Sequence, residues 1–457
     1  MTLKRAKPQK FKQLKLPFDH KGEAPRAKGS EEARMAGCGT EHPGTSGLMV
    51  RVLEPMNCQR ALKRVRKNKG SPGADGMTVD ELPGYLREHW PRIRKELSTG
   101  SYQPTPVKRR EIPKRGGGVR QLGIPTVLDR FIQQVILQVL QPLFDPTFSE
   151  HSYGFRPGRS AHQAIKMARH YVQAGRRIVV DADLANFFDR VNHDVLMGKL
   201  AKRIEDKTLL RLIRRYLQAG VMVNGVVVER HEGSPQGGPL SPLLANALLD
   251  EVDKELERRG HTFARYADDL NVYVKSRRAG VRVMASLEKL FTKLRLSINK
   301  EKSAVDSVFK RTFLGFSFWR APGMEVRFRA SGEAVKTLKD RIRRLTRRNR
   351  GVSLQQVAND LKSYLTGWKN YFRLASTPRR FRVLDQWIRH RLRAFQLKQW
   401  KRGRTAFREL VARGMSKTGA REVAANCRRW WHNSRMLINV AFPIRFFDGL
   451  GVPRLDT

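Results

Sequence analysis

Two aspartates stand side by side in Phe263-Ala264-Arg265-Tyr266-Ala267-Asp268-Asp269-Leu270-Asn271-Val272-Tyr273-Val274. Both flanks are rich in strand-forming residues, whereas Asp suits a turn better than a strand interior. The pattern predicts a hairpin that carries both carboxylates at its tip. Adjacent like charges repel and are relieved by a cation. Mg²⁺ is a hard ion that takes carboxylate oxygens together with the phosphates of a substrate. Alone, such a pair is more often an ordinary surface turn, so a second acidic group is needed. Ile178-Val179-Val180-Asp181-Ala182-Asp183-Leu184 supplies one: an apolar strand ends in two Asp at period two, which places both on one face. Asp on a strand suited to burial is costly unless paired or metal-bound. Taken singly, Asp183 reads equally well as a strand end or a helix cap. Set beside the hairpin, it would complete three carboxylates able to hold two ions about 4 Å apart, which activate an attacking oxygen and stabilise a leaving pyrophosphate.

The elements that must position these groups can be read coarsely. Helices are expected at Asn57 to Lys67 and Asp129 to Leu143. Ser160 caps a further helix, with Gln163 three residues on and Gly175 past its end. Val107 to Pro125 reads as a hairpin around Gly116-Gly117-Gly118, and Arg177 to Leu184 as a strand. Leu287 to Leu296 reads as a helix and Thr312 to Trp319 as a strand. Beyond about residue 333 the strand-like runs fade into basic helices, such as Lys339 to Arg348 and Leu384 to Lys401, interspersed with Trp368, Tyr371, Trp387 and Trp400. Residues 1–48 lack periodicity and read as a disordered basic tail.

Charge narrows the partners. The chain of 457 residues carries 91 Lys and Arg against 42 Asp and Glu, a net charge of +49. Such a surplus strains a compact fold by self-repulsion unless a polyanion neutralises it, and a nucleic-acid backbone offers one phosphate per nucleotide. The three cysteines, Cys38, Cys58 and Cys427, are too scattered for a zinc site or disulfide framework. No apolar run is long enough to cross a membrane, and the start has no secretory core, so a cytoplasmic protein is expected.

Taken in order, these segments resemble the bacterial group II intron-encoded reverse transcriptases and maturases. Tyr266-Ala267-Asp268-Asp269 resembles their YADD box, and Asp183 through Phe188 their first metal-binding motif. Gly233 through Pro242 resembles the PQG motif, and Ile112-Pro113-Lys114 with Arg120 through Pro125 the fingers segment. Ser152 through Pro157 and Phe313-Leu314-Gly315-Phe316 complete the series. Gly367 through Phe372 and Leu384 through Arg389 resemble the maturase, or thumb, domain. The resemblance covers roughly Leu53 to the C-terminus.

It implies an α+β right-hand polymerase, with fingers and an antiparallel palm sheet over 49–325. An all-helical thumb or maturase domain would follow over 333–400, and a basic DNA-binding region over 401–457. Asp183, Asp268, Asp269 and the carbonyl of Leu184 would hold two Mg²⁺ ions, Mn²⁺ being able to substitute. Phe188 would be a steric gate against the ribose 2′-hydroxyl, and Lys114 and Arg120 would clamp the triphosphate. Gln236 would line the nucleotide pocket, and Lys302 would donate a proton to pyrophosphate. Arg341, Arg343, Arg344, Arg347 and Arg348 would bind RNA. The aromatic residues of this module read more readily as helix packing than as base stacks. Partners would be intron RNA, an RNA template with a DNA primer, target DNA and deoxynucleoside triphosphates, in a nucleoid-associated ribonucleoprotein. The lone Cys427 and the short C-terminus leave no room for an HNH endonuclease. An intron-free reverse transcriptase serving repair or phage defence is the main alternative; an RNA-binding factor with a dead polymerase and an RNA-copying polymerase are disfavoured by the intact aspartates and by Phe188.

Overall fold

The computed structural model describes residues 47–113, 119–223, 226–228, 232–234, 237–435 and 437–456. Most of the tail expected at 1–48 lies outside these residues. Its end does not fit the expectation: Leu48–Val52 is a short helix that buries Leu48, Met49 and Val52, so the folded body reaches back to Leu48. The backbone N–H of Met49 donates to Asp206 Oδ2 at 2.8 Å, which fixes this helix against the start of Lys207–Gln218.

The strands are β1 (Val107–Pro113), β2 (Val119–Ile124), β3 (Ile178–Ala182), β4 (Val221–Val223), β5 (Val226–Val228), β6 (Thr262–Tyr266) and β7 (Asp269–Val274). They continue with β8 (Ala304–Ser307), β9 (Thr312–Phe313), β10 (Phe316–Arg320) and β11 (Val326–Ala330). Three sheets result, ordered β2-β1-β4-β5, β6-β7-β3-β8 and β11-β10-β9. β1 and β2 form the expected antiparallel hairpin, with Ile112 opposite Arg120; its tip at 114–118 lies outside the described residues.

Helix ends follow local chemistry. Val127–Phe144 is capped by Thr126, whose side chain accepts the Asp129 N–H, and it buries Phe131, Ile132, Val135, Ile136, Val139 and Leu140 at helical spacing. Asp129 is itself buried and satisfied by Tyr102, Tyr216 and Thr126 hydroxyls at 2.9, 3.1 and 2.7 Å and the Thr105 N–H at 3.1 Å. Ala161–Gln173 is capped by Ser160 as expected: its Oγ accepts the Gln163 N–H at 3.4 Å and donates to Gln163 Oε1 at 3.2 Å, and Gly175 follows at φ 90°.

Two expected elements are redrawn. The helix read over Leu287 to Leu296 runs Arg277–Lys293, because Gly280, Val283, Leu287 and Phe291 share one buried face, and Arg295 at φ 56° stops it. The single strand read over Thr312 to Trp319 is two, β9 and β10. Leu314 and Gly315, at φ 50° and 77°, reverse the chain between them, and β9 and β10 pair antiparallel.

Of the described residues, those up to 164 with 180–272 and 278–305 make one compact unit, and 165–179, 273–277 and those from 306 onwards another. After β11 the described residues of the second unit are helical: Gly332–Leu345, Leu354–Phe372, Pro378–Gln399, Gly403–Ala412, Lys417–Ala425, Trp430–Asn433 and Ile444–Gly449, with a single 3₁₀ turn at Leu437–Asn439. Among the described residues no helix is long and apolar enough to cross a membrane.

Candidate active site

Ala267 and Asp268 join β6 to β7, and Asp269 opens β7, so the hairpin tip carries both carboxylates. A two-residue connection makes the pair antiparallel. The turn requires a left-handed residue, and Ala267 takes that role at φ 59°, at a cost of about 1–2 kcal/mol for a residue bearing a Cβ.

Arg265 holds the turn in place. It is 1 % exposed. Its Nε lies 2.8 and 3.0 Å from the two oxygens of Asp253, and its Nη2 donates to Asp253 at 2.6 Å and to Ser152 Oγ at 2.8 Å. Nη1 donates to Asn246 Oδ1 at 3.0 Å and to the Ala267 carbonyl at 2.9 Å. All five guanidinium N–H groups therefore face acceptors, a geometry that Lys, with one nitrogen, cannot reproduce. The 151–154 segment lies along the same strand: Tyr153 N–H donates to Arg265 O and Arg265 N–H to His151 O, both at 2.9 Å. A Cβ on Gly154 would stand 2.2 Å from the Ala267 nitrogen, so only glycine permits this approach.

Asp183 follows the last residue of β3. Its N–H donates to Ser303 Oγ at 2.9 Å, and its carbonyl accepts the Asn299 N–H at 2.8 Å. Leu184 lies opposite Ile298 in an antiparallel bridge whose hydrogen bonds are made by the flanking residues. The Leu184 carbonyl thus points away from that segment and is available to another electrophile. With the Asn271 amide turned so that its nitrogen faces the neighbouring acceptors, that nitrogen donates to Asp181 Oδ1 at 2.9 Å and holds it.

Asp269 reaches solvent at the tip, yet the surrounding protein pushes its pKa up to about 7. Desolvation is the largest cause; Asp268, Asp183 and Asp181 add to it in that order, and Lys302 opposes them. The carboxylates are thus within electrostatic reach of one another, and Lys302 Nζ lies 3.7 Å from Asp183 Oδ2. Among the described residues no three side chains yet converge into a coordination shell. Repelling hard-oxygen donors of this kind are drawn together by a divalent cation and suit one chemically.

Phe188 sits in the one-turn helix Phe187–Asp189, buried, its ring 5.1 Å from that of Phe187. Its carbonyl accepts the Ser234 N–H at 2.7 Å, which clamps the 233–234 segment to this turn. Lys114 and Gln236 lie outside the described residues; of Arg120 only the backbone, in β2, is described. The glycines after Gln236 allow close approach, but to protein: Cβ atoms on Gly237 and Gly238 would lie 2.5 Å from Gly123 O and 2.3 Å from Gln133 Oε1.

In the second unit the arginine cluster divides between two surroundings. Arg341 and Arg344 line a cavity of about 650 Å³ with Asn359, Asp360 and Ser363. Arg343 instead joins Lys339 and Arg391 around the Trp387 ring, at 5.8, 5.9 and 5.5 Å from its centroid. Arg348 and Lys398 stand 5.2 and 3.9 Å from the Trp430 centroid. Arg347 is exposed beyond the helix end. Burial, then Arg343 and Arg348, lower the pKa of Arg391, so like charges crowd there. Trp368 is core, packed on Phe372 and Phe381, and Tyr371 donates its hydroxyl to the Leu314 carbonyl at 2.9 Å.

Arg265 and its partners were not singled out from sequence; a lone Arg on the apolar strand β6 was the available signal. Arg265→Ala leaves the Asp253 carboxylate buried and unpaired, and stability measured by urea unfolding should fall by about 3–5 kcal/mol. Burial already pushes the Asp253 pKa up and Arg265 opposes it. Without Arg265 the folded state binds a proton that the unfolded state has released, so the deficit should shrink as pH is lowered. A deficit that does not change with pH would show that Asp253 is not the stranded group.

Residues 112–318 match the family described as reverse transcriptase (RNA-dependent DNA polymerase), and residues 335–414 match the group II intron, maturase-specific domain. Protein YkfC of Escherichia coli (strain K12) is 36% identical over 218 residues, 46% of this chain and 57% of that protein. The group II intron-encoded protein LtrA of Lactococcus lactis subsp. cremoris is 37% identical over 204 residues, 44% of this chain and 34% of LtrA. The putative COX1/OXI3 intron 2 protein of Saccharomyces cerevisiae is 32% identical over 226 residues, 48% of this chain and 26% of that protein. The matched segment is thus 26–57% of these relatives' lengths. Asp183, Phe188, Asp268 and Asp269 fall within the first matched region and Arg341 to Arg348 within the second. A region that matches reverse transcriptases is thus followed along the chain by one that matches the group II intron maturase-specific domain, the combination that the similarity to LtrA also points to.

Proposed function

We propose that the chain is an RNA-directed DNA polymerase that also binds its group II intron RNA to assist splicing and copies it by target-primed reverse transcription. The observation that carries this reading is the Arg265-braced turn that presents Asp268 and Asp269, with Asp183 close enough to be felt there: burial first, then Asp268, Asp183 and Asp181, push the pKa of Asp269 up to about 7. Asp183, Asp268, Asp269 and the Leu184 carbonyl would hold two divalent ions, Mg²⁺ by the hardness of the donors. When bound, the ions supply Lewis-acid activation of a primer 3′-oxygen and charge stabilisation of pyrophosphate. The chain's own groups do the rest. Arg265 fixes the turn, so the carboxylates need little reorganisation. Phe188 excludes the ribose 2′-hydroxyl. Lys114, Arg120 and Gln236 contact the deoxynucleoside triphosphate, and Lys302, beside Asp183, delivers a proton to the leaving group. Arg341, Arg343, Arg344, Arg347 and Arg348 take intron RNA, and residues 401–457 take target DNA.

Asp268→Asn retains shape and removes a charge at the ions. Primer extension on an RNA template should fall by about 10³-fold or more, because several kcal/mol of stabilisation is lost. RNA affinity should be unchanged. Full extension by this variant with Mg²⁺ would falsify the assignment.

Phe188→Ala opens the space beside the sugar, and discrimination between deoxyribo- and ribonucleotides should drop by about 10- to 200-fold. Competition assays read this directly; an unchanged ratio makes Phe188 a packing residue only.

The arginines offer a separate test, because two surroundings predict two contact sets. Arg343→Gln with Arg348→Gln, and Arg341→Gln with Arg344→Gln, should each flatten the plot of log affinity for intron RNA against log salt by about 0.7–0.9 per lost contact. The combined variant should show the sum. A pair that leaves the slope unmoved lies on a face that RNA does not touch.

A further inference from the structure

The first unit carries a charged groove that the polymerase chemistry leaves unused. It lies among His193–Ala201, Ser241–Arg258 and Arg277–Lys293, with a volume of about 710 Å³. Seven basic side chains line it against three acidic ones, four positive charges in excess. Each acid is already paired. Asp250 takes Arg203 at 2.9 Å and Lys254 at 2.7 Å, Glu251 takes Lys199, and Glu255 takes Arg258 and Arg259 at 2.7 and 2.6 Å. The two arginines hold the Glu255 carboxyl down to about 2, so it stays ionised and neutralised by them. Lys202 and Lys293 are exposed and find no carboxylate among the described residues. The surplus is therefore real and unspent.

We propose that this groove binds the backbone of single-stranded RNA outside the polymerase site, a reading that rests on RNA being the chain's template. The excess of four positive charges suits a phosphate backbone, and the template beyond the paired region is the single strand that the chain must hold. Arg203 adds a flat guanidinium, 5.3 Å from the Phe144 centroid, of the kind on which unpaired bases stack. Asp253, on the same helix, is buried and points into the core to hold Arg265, and it does not line the groove.

Lys202→Glu with Lys293→Glu tests this, since neither lysine supports the fold through an ion pair. Affinity is measured across a salt series for a DNA primer on an RNA template with a long single-stranded extension, and for the same primer on a template trimmed to the paired region and a few nucleotides. On the extended template the log–log slope should fall by about 1.4, two contacts at roughly 0.7 each. On the trimmed template, affinity and extension rate should match wild type. Lys202→Arg with Lys293→Arg should restore the slope. An unchanged slope on the extended template overturns the proposal, as does an equal loss on the trimmed one, which would place the lysines in the polymerase cleft. A loss equally large with a DNA extension overturns the assignment to RNA. Wild-type protein that extends no RNA template would instead refute the polymerase reading, whatever the lysines do.

Discussion

A guanidinium and a carboxylate taken out of water together cost several kcal/mol each in lost hydration, and that cost is offset only if every remaining proton and lone pair is met. The Arg265–Asp253 pair meets this condition, with Arg265 spending its other donors on Asn246, Ser152 and the Ala267 carbonyl. One buried ion thereby ties a helix, a strand, a loop and the strained turn residue into a single arrangement. The left-handed Ala267 persists because its carbonyl is held from one side and its nitrogen is crowded by Gly154 from the other. Asp268 and Asp269 inherit their positions from this frame.

The same logic of charge separates the parts of the chain that keep their cations occupied from those that do not. Around the turn the positive charge is internal and saturated. Around Trp387 and Trp430 cations gather with few acids to answer them, and Arg391 feels its neighbours as a lowered pKa. A net charge of +49 is tolerable to a folded chain when much of it is displayed where a polyanion can neutralise it.

The carboxylate tip was legible in sequence because Asp between two β-rich runs has few other places to go, and the Ser160 cap and the β1–β2 hairpin were legible for similarly local reasons. What was hidden was long-range or conformational. Nothing near Arg265 points to Asp253 on a helix, or to Ser152, which is 113 residues away. Leucine carries no mark of the left-handed backbone that lets Leu314 end β9, so two strands read as one. The arginine run read as one cluster because its residues are adjacent in sequence. Rotation by 100° per residue sends Arg341 and Arg344 one way and Arg343 another, and the helix stops at Leu345, before Arg347 and Arg348. The apolar Leu48, Met49 and Val52 lie so close to the tail that composition drew the boundary too late.

The hydrogen bonds around Asp183 also bear on how the protein is made. Its backbone is fastened by Asn299 and Ser303, the latter 120 residues downstream, while the turn is fastened by Ser152, far upstream. Contacts of such separation form late, since the entropy of closing long loops is lost before they contribute stability. On a ribosome the segment bearing Asp183 therefore emerges long before the chain that fastens it. A nascent protein thus carries Asp183 for some 120 residues before it holds it in place, and completes this acidic cluster only once the region around residue 303 has left the exit tunnel.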